Sequence, residues 1–163
     1  MCGIAGFLGN KNHKNPISTL KNMTQAIRYR GPDAEGYYCD KKKNFFFGHK
    51  RLSIIDLTKT GGQPMHSKSR NFSIIFNGEI YNFEKIKKEI KKVKPVIFNG
   101  TSDTEVLLEA IDLWGLNSTL KKIDGMFAFA LWDYKKNCLY LVRDRFGEKP
   151  LYYYFDKNNL IFA

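Results

Sequence analysis

A chain of 163 residues that is 43% hydrophobic and 15% aromatic can bury one core and is too apolar for a disordered segment. Its three cysteines are odd in number and include no Cys-x-x-Cys pair, which argues against a disulfide framework or a thiolate zinc site and suits a reducing cytoplasm. The net charge of +11 would suit nucleic acid, but the lysines fall in short runs without a recognition motif. They are expected to form solvated faces or a docking surface for an acidic partner, with no nucleic acid bound.

The chain starts without a basic stretch ahead of its apolar residues, and no apolar run nears the ~20 residues of a membrane span. Neither a secretory leader nor a membrane partner is expected. Cysteine stands second. Removal of Met1, usual before a small residue, would put a thiol and a free α-amino group on one carbon. An ordinary thiol, with a pKa of ~8.5, is mostly protonated at neutral pH, while an α-amine near ~8 can take its proton. Cys2 is therefore a candidate nucleophile that needs no histidine, although Met-Cys alone is commonplace.

Residues 4–8 form a short apolar run that predicts a buried strand. Asn15 and Pro16 then supply an N-cap and a first-turn proline, with Ile17, Leu20, Met23 and Ile27 as an apolar stripe reaching about Arg30 before Gly31-Pro32. Strands are predicted over 36–39, 45–49 and 72–76, and a Lys-rich helix over 83–94 with Ile86, Ile90 and Val93 on its apolar side. Ser102-Asp103-Thr104-Glu105 reads as a capping box for a helix whose apolar face is Val106, Leu107, Ala110, Ile111 and Trp114, ended by Gly115. Residues 118–122 add a helical turn, and strands follow over 126–132, 139–143, 151–155 and 160–163. Strands at both ends around two or three helices predict an α+β layered domain. The last strand stops without a cap or polar tail, so a fragment of a longer chain is expected. His13, His49 and His66 have no metal-ligand spacing.

Seven segments now align in order: Cys2-Gly3-Ile4-Ala5-Gly6, Arg30-Gly31-Pro32-Asp33, His49-Lys50-Arg51-Leu52-Ser53-Ile54-Ile55-Asp56, Asn77-Gly78-Glu79-Ile80-Tyr81-Asn82, Ser102-Asp103-Thr104-Glu105, Asp124-Gly125-Met126-Phe127-Ala128-Phe129-Ala130, and Arg143-Asp144-Arg145-Phe146-Gly147-Glu148-Lys149-Pro150-Leu151-Tyr152-Tyr153. Together they resemble the N-terminal glutaminase domain of the glutamine-hydrolysing asparagine synthetase family, a class II glutamine amidotransferase of the N-terminal-nucleophile type. The resemblance runs over residues 1–163. It implies a four-layer αββα sandwich of two mainly antiparallel sheets between helical layers, and hydrolysis of L-glutamine to L-glutamate and ammonia.

By the same resemblance Cys2 is the nucleophile, and Asn77 and Gly78 form the oxyanion site. Taken alone, Asn77-Gly78 reads first as a hairpin turn between strands, and the segment around it together with Cys2 reverses that preference. Arg51 is the candidate for the glutamine carboxylate, since a guanidinium can pair with it bidentately. Leu52, Ser53, Ile54 and Ile55 line the pocket, and Glu79 and Asp103 are candidates for the ammonium. The dipole of its helix would keep Asp103 ionised. Arg30 or Asp33 would brace the Cys2 turn, residues 124–130 read as sheet core, and Arg143-Asp144-Arg145 reads as a charge network.

No cofactor is implied for this domain. ATP and Mg belong to a synthetase domain, C-terminal or separate, whose Ser-Gly-Gly-x-Asp-Ser-like loop is not in this sequence. A homodimer is possible for the full-length protein. Two alternatives stand beside the enzyme: a catalytically silent or regulatory module that docks a synthetase partner, and the glutaminase part of a surface-polysaccharide amidotransferase.

Overall fold

The computed structural model describes residues 1–9 and 15–163; His13 lies outside them. In chain order the elements are β1 (Gly3–Leu8), α1 (Pro16–Ala26), β2 (Ala34–Asp40), β3 (Phe45–Arg51), β4 (Met65–His66), β5 (Phe72–Ile80), α2 (Phe83–Val93), α3 (Asp103–Trp114), α4 (Leu116–Lys122), β6 (Gly125–Asp133), β7 (Cys138–Arg143), β8 (Tyr153–Phe155) and β9 (Leu160–Phe162). One sheet runs β2-β3-β1-β9-β8 and the other β4-β5-β6-β7, with every strand pair antiparallel.

Period-two alternation explains the layering, because successive side chains on a strand serve opposite faces. Ile4, Phe45, Phe47, Ile75, Ala128, Ala130, Trp132 and Phe162 fill the space between the sheets. The alternate residues Phe7 and Phe46 turn outward to pack with Leu20 of α1. Ile74, Phe76, Phe127, Phe129 and Leu131 turn outward on the other side, against α2 and α3. Three apolar interlayers give four layers, the αββα sandwich expected. Phe45 stacks on Trp132 across the central interlayer with ring centroids 4.3 Å apart. Each such buried ring contributes on the order of 1.5–3 kcal/mol.

Several local expectations change. The first helix stops at Ala26 and tightens into a 3-10 turn over Arg28–Arg30, rather than continuing to Arg30 as α-helix. Ile17 of its stripe is 41% exposed, while Thr24 is fully buried against Gly48. Ser102 caps α3 through Thr104 N–H, but Glu105 does not close a capping box: its carboxylate accepts the N–H groups of Asn99 and Gly100 at 2.8 and 2.9 Å. Residues 103–111 are buried on all sides of the helix, because its acidic side chains satisfy neighbouring loops. Strand β5 runs four residues past its expected end, and the two-residue β4 was not anticipated.

Candidate active site

Cys2 precedes β1, whose Gly3 pairs with Lys50, so it lies beside Arg51 at the end of β3. Its Sγ lies 3.5 Å from the carbonyl of Leu52, which accepts from the thiol, and 3.4 Å from the Leu52 N–H, which donates to it. Arg30 Nε donates to the Cys2 carbonyl at 3.0 Å. The Asp33 N–H donates to the Arg51 carbonyl at 3.0 Å, and the Asp33 carboxylate accepts from the Ser53 N–H at 2.7 Å. Both residues therefore brace the site, Arg30 on the Cys2 side and Asp33 on the loop that follows β3. Gly31 permits this approach: a Cβ there would stand 2.3 Å from the Lys50 carbonyl carbon.

The second sheet supplies the other wall. Asn77 and Gly78 are inside β5, paired with Ala128 and Phe127, so the hairpin-turn alternative fails. Asn77 shares the inward face with Ile75, and it is buried at the pocket. On the edge of β5 away from β6, the Phe76 N–H donates to Gln63 Oε1 at 2.6 Å and the Ile80 N–H to Asp103 Oδ2 at 2.9 Å. By the alternation of the strand the N–H of Gly78 lies between them on that edge, and Gly78 lines the pocket. The edge is open there because β4 covers only Ser73 and Ile74. A Cβ on Gly78 would stand 2.2 Å from the Met126 carbonyl oxygen.

Arg51 is buried, and its guanidinium is held by backbone. Nη1 donates to the Thr58 carbonyl at 2.7 Å and Nη2 to the Asp56 carbonyl. Burial opposes ionisation of the Asp56 carboxyl, but hydrogen bonds from the hydroxyls of Thr58 and Thr60 and the N–H groups of Thr58 and Thr101 hold its pKa at about 2. The segment 52–58 is thereby tied down around the Arg51 side chain.

One pocket is lined by Cys2, Arg51, Leu52, Ser53, Ile54, Ile55, Asn77, Gly78, Glu79 and Asp103, so every residue expected at the site meets there. Sequence reasoning missed Gln63, Met126 and Lys149, which also line it. Lys149 was visible inside a matched segment, whereas Gln63 carried no local signal. Burial pushes the Cys2 thiol up against the opposing pull of the Leu52 N–H, the N-terminal charge and Arg51. Burial likewise raises the Asp103 carboxyl, against hydrogen bonds from Ile80 and Thr104 and with Glu79 adding to the rise. Desolvation is the largest influence on this carboxyl. Among the described residues no cluster of His, Cys, Asp and Glu could hold a metal ion.

A thiol at the start of one sheet, sharing a pocket with donor groups of the other, is an arrangement suited to acyl transfer. The glutamine amidotransferase domain family matches residues 1–163, the whole chain. The chain belongs to the glutamine amidotransferase domain family. It is 42% identical to the glutamine-hydrolysing asparagine synthetase 2 of Bacillus subtilis, covering 100% of this chain and 21% of that protein. It is 41% identical to asparagine synthetase 1 of the same organism, again over 100% of this chain and 26% of the relative. Amidase chry2 of Gibberella zeae is 35% identical, with 100% of this chain and 25% of the amidase covered. The chain thus spans about a quarter of the length of these relatives. A solved glutamine phosphoribosylpyrophosphate amidotransferase from B. subtilis superposes with a TM-score of 0.78 at 16% identity, over 99% of this chain and 41% of that one. That likeness shows that the two chains share one fold. No helix among the described residues of this amidotransferase domain is long and apolar enough to cross a membrane.

Proposed function

We propose that this amidotransferase domain, once Met1 is removed, hydrolyses L-glutamine to L-glutamate and ammonia through a γ-glutamyl thioester on Cys2. The observation that carries the reading is the convergence of Cys2, the open N–H of Gly78 and the side chain of Asn77 in one pocket with Arg51 and Asp103. In this reading the Cys2 α-amino group takes the thiol proton as sulfur attacks the side-chain amide carbon. Asn77 and Gly78 donate to the oxyanion, and collapse expels ammonia with the proton carried by the amine. Water then attacks the thioester, again with the amine as base, and releases glutamate. Arg51 pairs with the substrate carboxylate, Glu79 and Asp103 hold its ammonium, and residues 52–55 line the pocket. These steps call on no metal or organic cofactor.

The ammonia would pass to an ATP-dependent synthetase-type domain, C-terminal or separate, which would carry the ATP and Mg chemistry. The reading places the domain in the cytoplasm, where the thiol stays reduced. It assigns no role to nucleic acid, and assigns any homodimer to the longer protein. Glutamate released from L-glutamine by the mature chain is the test, with the N-terminus confirmed by mass. Cys2→Ala should abolish release while leaving the circular dichroism and thermal unfolding unchanged. Glutamate production that survived this substitution would remove Cys2 from the mechanism.

A further inference from the structure

Lys149 is buried to 6% exposure, and no carboxylate neutralises it: the ion pairs among the described residues are Lys50–Glu35 and Lys122–Glu89. The hydrogen bond its ammonium makes is to Met1 Sδ at 2.9 Å. A buried unpaired cation is costly, and one kept only for shape would be replaced by an apolar side chain at no loss. The fold instead builds a support for it. The Asp144 carboxylate accepts the N–H groups of Phe127, Phe146, Glu148 and Lys149 at 2.9–3.1 Å, winding the turn after β7 about one point. Arg143 Nε donates to the Lys149 carbonyl at 2.7 Å, and Gly147, at φ 68°, gives the turn its bend. The side chain so presented reaches the pocket that holds Cys2.

Met1 Sδ, the partner of Lys149, belongs to the residue whose carbonyl carbon is bonded to the nitrogen of Cys2. Excision of Met1 frees the Lys149 ammonium from its partner and creates the Cys2 α-amino group in the same step. We propose that Lys149 is a positioning residue for the N-terminal base: its ammonium disfavours protonation of the Cys2 α-amino group and holds that group in its neutral, proton-accepting form. The proposal rests on the glutaminase reading. The principle is that of an amine made basic-form by a cationic neighbour in a desolvated site. The other charged groups around the base, among the described residues, are Arg30 at the Cys2 carbonyl, Arg51 on β3, Asp56 on the loop after it, Glu79 on β5 and Asp103 on α3. Asp144 and Arg143 are spent on the backbone of the Lys149 turn.

Two readouts test this on the mature chain. In a Cys2→Ala background, which keeps the α-amine and removes the competing thiol, limiting acetic anhydride would label the N-terminus across pH, read on the N-terminal peptide by mass spectrometry. Lys149→Met should move the labelling midpoint up by ~0.5–1 pH unit, as expected for loss of one nearby charge. Lys149→Arg should track the parent, and Lys149→Gln repeats the test with a polar side chain. With Cys2 intact, the acid limb of kcat/KM for glutamine should shift by the same amount while KM holds. Thermal unfolding of Lys149→Met should be unchanged or improved. Superimposed labelling curves, or a uniform drop in kcat at every pH without a shift, would overturn the proposal. A labelling shift in Lys149→Met beside a parent chain that hydrolyses no glutamine would instead overturn the glutaminase reading and leave the effect of Lys149 on the α-amino group in place.

Discussion

Asn77 illustrates how little side chain the proposed chemistry needs, provided the backbone presents it correctly. Its amide and the Gly78 N–H come from adjacent residues of β5, one through the inward face and one through the strand's open edge. Removing a single oxyanion donor typically costs ~2.7–4 kcal/mol. Asn77→Ala should therefore lower kcat for glutamine hydrolysis ~100-fold or more, with KM little changed; an equal loss expressed wholly in KM would assign Asn77 to substrate binding. Arg51 predicts the reverse split. Lysine offers neither the bidentate face nor the two separate nitrogens that donate to the Thr58 and Asp56 carbonyls. Arg51→Lys should raise KM ~10-fold or more while kcat moves less. The candidacy of Arg51 as a carboxylate partner was legible in the sequence. That the same guanidinium also shapes the loop after it was not, because the carbonyls it binds lie five and seven residues away in an irregular segment.

At the scale of elements, the acidic residues of α3 separate two accounts of helix stability. If capping dominated, Ser102→Ala would be the more damaging change, at ~1 kcal/mol. Glu105, however, satisfies two loop N–H groups from a buried position, and orphaning buried donors costs ~1–3 kcal/mol each. Glu105→Ala should thus destabilise more than Ser102→Ala in urea unfolding, and equal midpoints would count against this ordering. The sequence pattern S-x-x-E located the helix start correctly but misassigned the glutamate's partner, since nothing local announces that residues 99–100 fold back onto it. Strand β5 shows the same limit. Alternation of apolar residues ends at Phe76, and a polar Asn-Gly-Glu continues as strand only because β6 pairs with it as far as Gly125. Gly78→Ala would push a methyl against the Met126 carbonyl and should both destabilise the fold and lower activity, read by thermal unfolding and glutamate release.

For the molecule as a whole, the buried groups set a direction for stability against pH. His49 lies between the sheets with Nε2 3.2 Å from the Phe76 carbonyl, while its Nδ1 has no partner. Burial drives its pKa down to about 4, against the contribution of Phe76. The folded state therefore prefers neutral histidine, and the unfolded chain, with a pKa near ~6.5, binds the proton more readily. Its contribution is complete above pH ~6.5 and is lost as pH falls toward 4, by roughly 3 kcal/mol. Asp56 adds a further loss between its unfolded value and about 2. Asp103 and Glu109, raised by burial, work in the opposite sense. The urea midpoint should fall between pH 6.5 and 4.5, and His49→Gln should flatten that slope.

Local periodicity, glycine and proline stops and helix caps suffice to place most of the strands and helices of this domain, because each depends on residues within a turn or two of one another. The ordered motifs around Cys2 likewise suffice to name its family. How the pocket closes is a different matter. Cys2, Gln63, Asn77, Asp103 and Lys149 are scattered along the chain, and they meet only when two sheets stack and the turn after β7 wraps around Asp144. Burial follows from that meeting too. It raises the Cys2 thiol and the Asp103 carboxyl, silences His49 and leaves Lys149 without a counterion, because desolvation is a property of the assembled layers and of no single segment.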